Sequence, residues 1–147
     1  MILINSTLPD GRIQPINHKG DNHERDGEIM TKAELHEFGL ALLTVYLYKQ
    51  KGELIRSNGN LGNEYPHLIA KNPNGDLLYI WVKTEMYPVI PSIVSIEYHE
   101  EVCKLSNQFN AIPVFAGMRM SCVTTEEKNI PVYGAGYIAE YTGFKSL

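Results

Sequence analysis

Apolar residues recur at helical spacing between residues 31 and 51, at Leu35, Phe38, Leu42, Val45 and Tyr46, which predicts an amphipathic helix. Thr31 followed three positions later by Glu34 has the form of a capping box, and Gly52 is placed to end the helix. The later part, LALLTVYLY, is apolar nearly all round, so this helix is expected to bury more than one face. Three strands are predicted next, at Glu53 to Arg56, His67 to Lys71 and Leu77 to Thr84. The last two flank NPNG, strong turn chemistry that predicts a hairpin. Tyr98, Val102, Leu105 and Phe109 form a second helical stripe, predicting a helix from Ile96 to Asn110. IPVFAGMRMSCV and VYGAGYIAEYTGF then read as two further strands, the second interrupted by glycines. The step from the second helix into Ile112 to Phe115 implies a crossover back into the same sheet. The expected class is α/β, a mixed sheet flanked by helices.

Residues 1–30 differ in character. They are polar and carry Pro9, Gly11, Pro15, Gly20 and Gly27, the composition of a loop or arm. The expected organisation is an N-terminal arm over 1–30 and one domain over 31–147. ILIN at the start has the pattern of a short edge strand, and His18, Asp21, His23 and Asp26 have spacing like that of metal ligands. No apolar run approaches the ~20 residues that cross a bilayer, and the start lacks a basic segment leading into an apolar one. A cytoplasmic location is therefore expected. The formal net charge of −4 weighs against a generic nucleic-acid binder, and the 13 Lys and Arg residues are scattered. Cys103 and Cys122 form no C-x-x-C pair and are expected as reduced thiols. There is no G-x-S-x-G elbow and no Walker glycine loop.

The stretch PHLIAKNPNGDLLYIWVKTE, Pro66 to Glu85, carries the most specific pattern. With the helix before it and the helix and strand after it, it resembles the restriction-endonuclease-like, PD-(D/E)-x-K nuclease superfamily over residues 31 to 122. The resemblance implies a three-layer sandwich. It also implies a glutamate on the first helix, an aspartate after proline at one strand start, and D/E-x-K near the end of the next strand. In that family the acids bind Mg²⁺ and the lysine positions the attacking water. Glu34 or Glu37 matches the helix glutamate, Pro66 the proline and Lys83 the lysine. His67 and Trp81 stand where the two main acids belong. Tryptophan offers a hard cation nothing, and histidine suits Zn²⁺, Mn²⁺ or Ni²⁺ better than Mg²⁺.

Strand alternation places Trp81, Lys83 and Glu85 on one face. A substitute site of Glu37, Glu85 and Lys83, with His67 and Glu85 as metal ligands and Mg²⁺ or Mn²⁺ as cofactor, is the active alternative; Glu64, two positions before Pro66, is a further acid placed to reach in from the loop. A non-catalytic nucleic-acid binder is the second alternative, with Arg56 and Arg119 on phosphates and Trp81 stacked on a base. The expectation adopted is a degenerate site without cofactor or metal-dependent cleavage, in a protein acting as a binding or assembly module. A homo-oligomer is expected, with Tyr133, Tyr137 and Tyr141 suited to its interface.

Overall fold

The computed structural model describes residues 2–4, 25–91 and 96–147. Helix α1, Lys32–Lys49, opens on the expected capping box: Thr31 accepts from the Glu34 backbone, and the Glu34 side chain accepts from the Thr31 N–H. Its end differs from the expectation. The left-handed residue is Lys51, at φ 61°, not Gly52. The Lys51 N–H donates to Tyr48 O and the Gly52 N–H to Leu47 O, the paired bonds of a Schellman motif. Gly52 is needed for a different reason, since a Cβ there would stand 2.5 Å from Leu47 Cδ1.

Among the described residues the sheet has six strands in the order β1-β6-β5-β4-β3-β2. They are β1 (Ile2–Ile4), β2 (Glu53–Ser57), β3 (Leu68–Lys71), β4 (Leu77–Met86), β5 (Ile112–Cys122) and β6 (Tyr137–Ser146). The opening apolar run does form an edge strand, antiparallel to β6. The β3–β4 turn holds Gly75 at φ 86°, and the Asn72 side chain accepts from Asn74 and Asp76 N–H groups. Helix α2, Ile96–Gln108, carries the chain from β4 into β5, which runs parallel to β4 while the other pairings are antiparallel. This is the order that the nuclease-fold resemblance implies: helix, antiparallel strands, helix, parallel strand.

The sheet separates two apolar layers. Leu78, Ile80 and Val82 of β4 pack with Leu35, Phe38, Leu42 and Leu43 of α1. The intervening Tyr79 and Trp81 pack with Val102 and the half-buried Leu105 of α2. The result is a three-layer α/β sandwich with a mixed sheet. Strand β4 lies between helices and is buried on both faces, which its continuous LLYIWV run suits. Gly39 permits the close approach of α1: a Cβ there would stand 1.8 Å from Thr84 Oγ1.

Residues 25–30 are tied to the body. Gly27 N–H donates to Tyr133 O, Met30 N–H to Pro131 O, and Ile29 bridges Val132. His18, Asp21 and His23 lie outside the described residues, so the ligand-like spacing of the arm is represented only by Asp26. Three tyrosines expected at an interface are instead inside the chain's own core: Tyr133, Tyr137 and Tyr141 are all buried. Tyr137 stacks edge-on with Phe38 at 5.4 Å and Tyr141 with Tyr46 at 4.5 Å. No helix of the described residues is long and apolar enough to cross a membrane.

Candidate functional site

His67 and Trp81, at the two acid positions of the nuclease motif, both bond to the connection between β2 and β3, residues 58–67. This loop is rich in asparagine and glycine, which have little apolar surface to bury. It is held instead by hydrogen bonds to side chains on both layers. Asn58 N–H donates to His67 O, and Asn60 N–H to the Asn58 side chain. From the α1 side, His67 reaches Gly62 O at 2.9 Å. From the α2 side, Trp81 Nε1 donates to Asn63 O at 3.0 Å.

His67 is almost completely buried, at 1% exposure. Its Nδ1 accepts from the Val82 N–H at 2.8 Å. That bond requires an unprotonated Nδ1, so the ring proton sits on Nε2 and is donated to Gly62 O. Both nitrogens are thus engaged. The lone pair that a metal would use is already occupied by a backbone amide, so His67 is not placed as a ligand. It acts as a clamp between β4 and the loop.

The second imidazole is that of His36, in the early turns of α1. It is buried at 5% exposure, with its ring edge-on to His67 and the centroids 4.5 Å apart. Its spacing to Leu40, Leu43 and Leu47 is helical, and that stripe is the signal that could have placed it inside. Burial pushes its pKa down to about 4, and the facing His67 adds to this; the Asn60 backbone opposes it weakly. Burial also lowers His67. His36 Nε2, and Thr84 Oγ1 beside Gly39, are both buried without a hydrogen-bond partner among the described residues.

The remaining candidates are divided between the two faces. Glu34 is committed to its cap and also accepts from Arg25 and from the Tyr133 hydroxyl. The Thr31 backbone N–H leads the contacts that hold its carboxyl down at about 2. Glu37 is exposed on α1 and lies near the loop: a Cβ at Gly59 would stand 3.6 Å from its Oε1. Lys83 and Glu85 come together at 3.9 Å, but on the α2 face of β4 with Trp81. The α1 face at this level presents Val82 and Thr84. The structure therefore brings Lys83 and Glu85 together and does not bring Glu37 to them.

Arg119 and Glu140 extend the same face across β5 and β6. Glu85 is in register with Arg119 and Arg119 with Glu140, and the last two form an ion pair at 2.7 Å. Lys83, Glu85, Arg119 and Glu140 make a row of alternating charge, which accounts for a lysine ending an apolar strand. Arg119, expected with Arg56 on phosphates, is instead paired with Glu140 and lies over the Tyr87 ring. Trp81, considered for base stacking, is 2% exposed and contributes packing and one hydrogen bond. Glu64 and Glu101 flank a cavity of about 230 Å³ over Trp81.

A magnesium site of the nuclease kind needs several carboxylate oxygens around one point. Among the described residues no three of His, Cys, Asp and Glu are grouped to hold a metal. The donor set at the motif is a histidine with both nitrogens engaged, an indole and a lysine, and it does not fit Mg²⁺. Cys122 is buried and Cys103 half-buried, and both are free thiols.

The chain belongs to the family described as Domain of unknown function (DUF8840), whose profile matches residues 33–147. Among solved structures it is similar to a Holliday junction resolvase from the archaeal hyperthermophile Archaeoglobus fulgidus, with 25% identity and a TM-score of 0.42. That similarity covers 56% of this chain and 66% of the resolvase, just under two thirds. A search of curated proteins found no match.

Proposed function

We propose that this member of the DUF8840 family is a divergent relative of the restriction-endonuclease-like proteins that binds a partner and does not cleave phosphodiesters. The observation that carries this reading is His67. At the position of the family's central aspartate stands an imidazole whose two nitrogens are consumed by Val82 N–H and Gly62 O. Among the described residues no cluster of acids is grouped there to neutralise a divalent cation, and Lys83 is paired with Glu85. The frame is retained because it is also the core: α1 and α2 sandwich β4 whether or not a metal binds.

The test is a cleavage assay on single-stranded, duplex and branched DNA with Mg²⁺ and with Mn²⁺, beside calorimetric titration of each metal. No cleavage and no heat of binding are expected. Metal-dependent cleavage abolished by Lys83→Ala would overturn the proposal in favour of the active alternative, whose acids Glu37 and Glu85 would then be tested by their own alanine variants. Assembly as a homodimer is part of the same reading. It would draw on exposed apolar residues such as Tyr48, Ile55 and Leu61, because the late tyrosines are buried. Light scattering showing only monomer at high concentration would remove that element.

A further inference from the structure

On the α2 side of the sheet, at its β2 edge, lies a cavity of about 690 Å³. Its size is that of a site for one small ligand. It is lined by residues of four separate parts of the chain, brought together only by the fold: Arg56 and Asn58 at the end of β2, Tyr65 of the clamped loop, Tyr79 of β4, and Gln108 and Phe109 at the end of α2. Three aromatic rings therefore border one cavity. Tyr79 and Phe109 stand 6.0 Å apart with a 36° tilt. Two of the three are unusually exposed for their type, Tyr65 at 63% and Phe109 at 56%. Phe109 had been expected to continue the buried stripe of α2, but the helix ends one residue before it.

The electrostatics of the cavity are one-sided. The chain is acidic, with a net charge of −4, yet among the described residues no carboxylate lines this cavity and its only charged group is Arg56. The Arg56 guanidinium has no ion-pair or hydrogen-bond partner among the described residues. This contrasts with Arg25 and Arg119, each of which is paired with a glutamate. An uncommitted guanidinium beside exposed rings selects a ligand with both an anionic group and a planar face. Stacking on such rings is worth about 1–3 kcal/mol per base and tolerates any base. Asn58 and Gln108 add amide groups at the rim.

We infer that this cavity binds one nucleotide unit, with its base against Tyr65 and Phe109 and its phosphate on Arg56. The inference rests on the reading of the chain as a binding module. The unit is either a free nucleotide or the phosphorylated end of a single strand, which share this chemistry. The site is separate from the charge row at Lys83, which allows the two proposals to fail separately.

The experiment titrates the full chain with AMP, CMP and a 5′-phosphorylated tetranucleotide in low salt, read by calorimetry and by quenching of intrinsic fluorescence. Saturable binding is expected from at least one probe, weakened tenfold or more by Arg56→Ala and by Tyr65→Ala and unchanged by Lys83→Ala. Both substituted side chains are exposed, so the variants are expected to fold, and an unchanged melting temperature checks this. Binding of mononucleotides identifies a free nucleotide as the ligand, and binding of the tetranucleotide alone identifies a strand end. No saturable binding by any probe at millimolar concentration overturns the inference. Binding that persists in an Arg56→Ala/Tyr65→Ala double variant also overturns it. Metal-dependent cleavage, by contrast, would overturn the preceding proposal and leave this cavity as assigned.

Discussion

Replacing His36 by leucine should remove much of this protein's sensitivity to mild acid. His36 is held down at about 4, against 6.5 in the unfolded chain, chiefly by burial and secondarily by His67. Above pH 6.5 neither state carries a proton there and the residue contributes no pH dependence. Between 6.5 and 4 the unfolded chain binds a proton that the folded chain refuses, so stability falls with falling pH. At about 1.4 kcal/mol per decade, the loss reaches about 2 kcal/mol at pH 5 and levels off at about 3.5 kcal/mol below pH 4. His67 acts in the same direction, since burial lowers it too. Glu34 does not interfere, because its carboxyl is held at about 2 against 4.5 and its contribution is lost only as pH falls below 4.5. The assay is urea denaturation of wild type and His36→Leu at pH 7 and pH 5. Leucine forfeits the contact with the Asn60 backbone, so the quantity to read is each protein's own loss between the two pH values. Wild type should lose about 2 kcal/mol more than the variant. Equal losses would refute the burial of His36 as the origin of acid sensitivity.

Two further predictions concern backbone geometry. Lys51→Gly should stabilise the protein by about 0.5–1 kcal/mol in denaturant titration, because Lys51 occupies the left-handed position of the α1 terminus; a loss of stability would mean that its side chain contributes more than its backbone costs. Gly39→Ala should destabilise by about 2 kcal/mol or more despite alanine's better helix propensity, since the new Cβ would collide with Thr84 Oγ1 at 1.8 Å. The same substitution in a Thr84→Ala background should cost less, and a thermal melt of the four proteins checks the coupling.

Features set by neighbouring residues were legible in the sequence. The capping box of Thr31 and Glu34, the Asn72–Asp76 turn, both helices and the succession of helices and strands along the chain all depend on local hydrogen bonding and on the period of apolar positions. From that order followed the mixed sheet. Alternation also grouped Trp81, Lys83 and Glu85 correctly on one face of β4. Even the end of α1 was located to within a residue, although the left-handed strain falls on Lys51.

What the tertiary structure alone decided was which face meets which helix. Period-two alternation separates two sets of side chains but does not say which set α1 covers, because β4 is apolar on both faces. Docking of α1 over Val82 and Thr84, through Gly39, sends Lys83 and Glu85 to the α2 side and parts them from Glu37. The same long-range packing buries His36 against His67, pairs Arg119 with Glu140 across 21 residues of chain, and encloses the late tyrosines. It also gathers Arg56, Tyr65 and Phe109 around one cavity from three separate stretches of sequence. Such pairings depend on surface complementarity between distant segments, for which no local period exists.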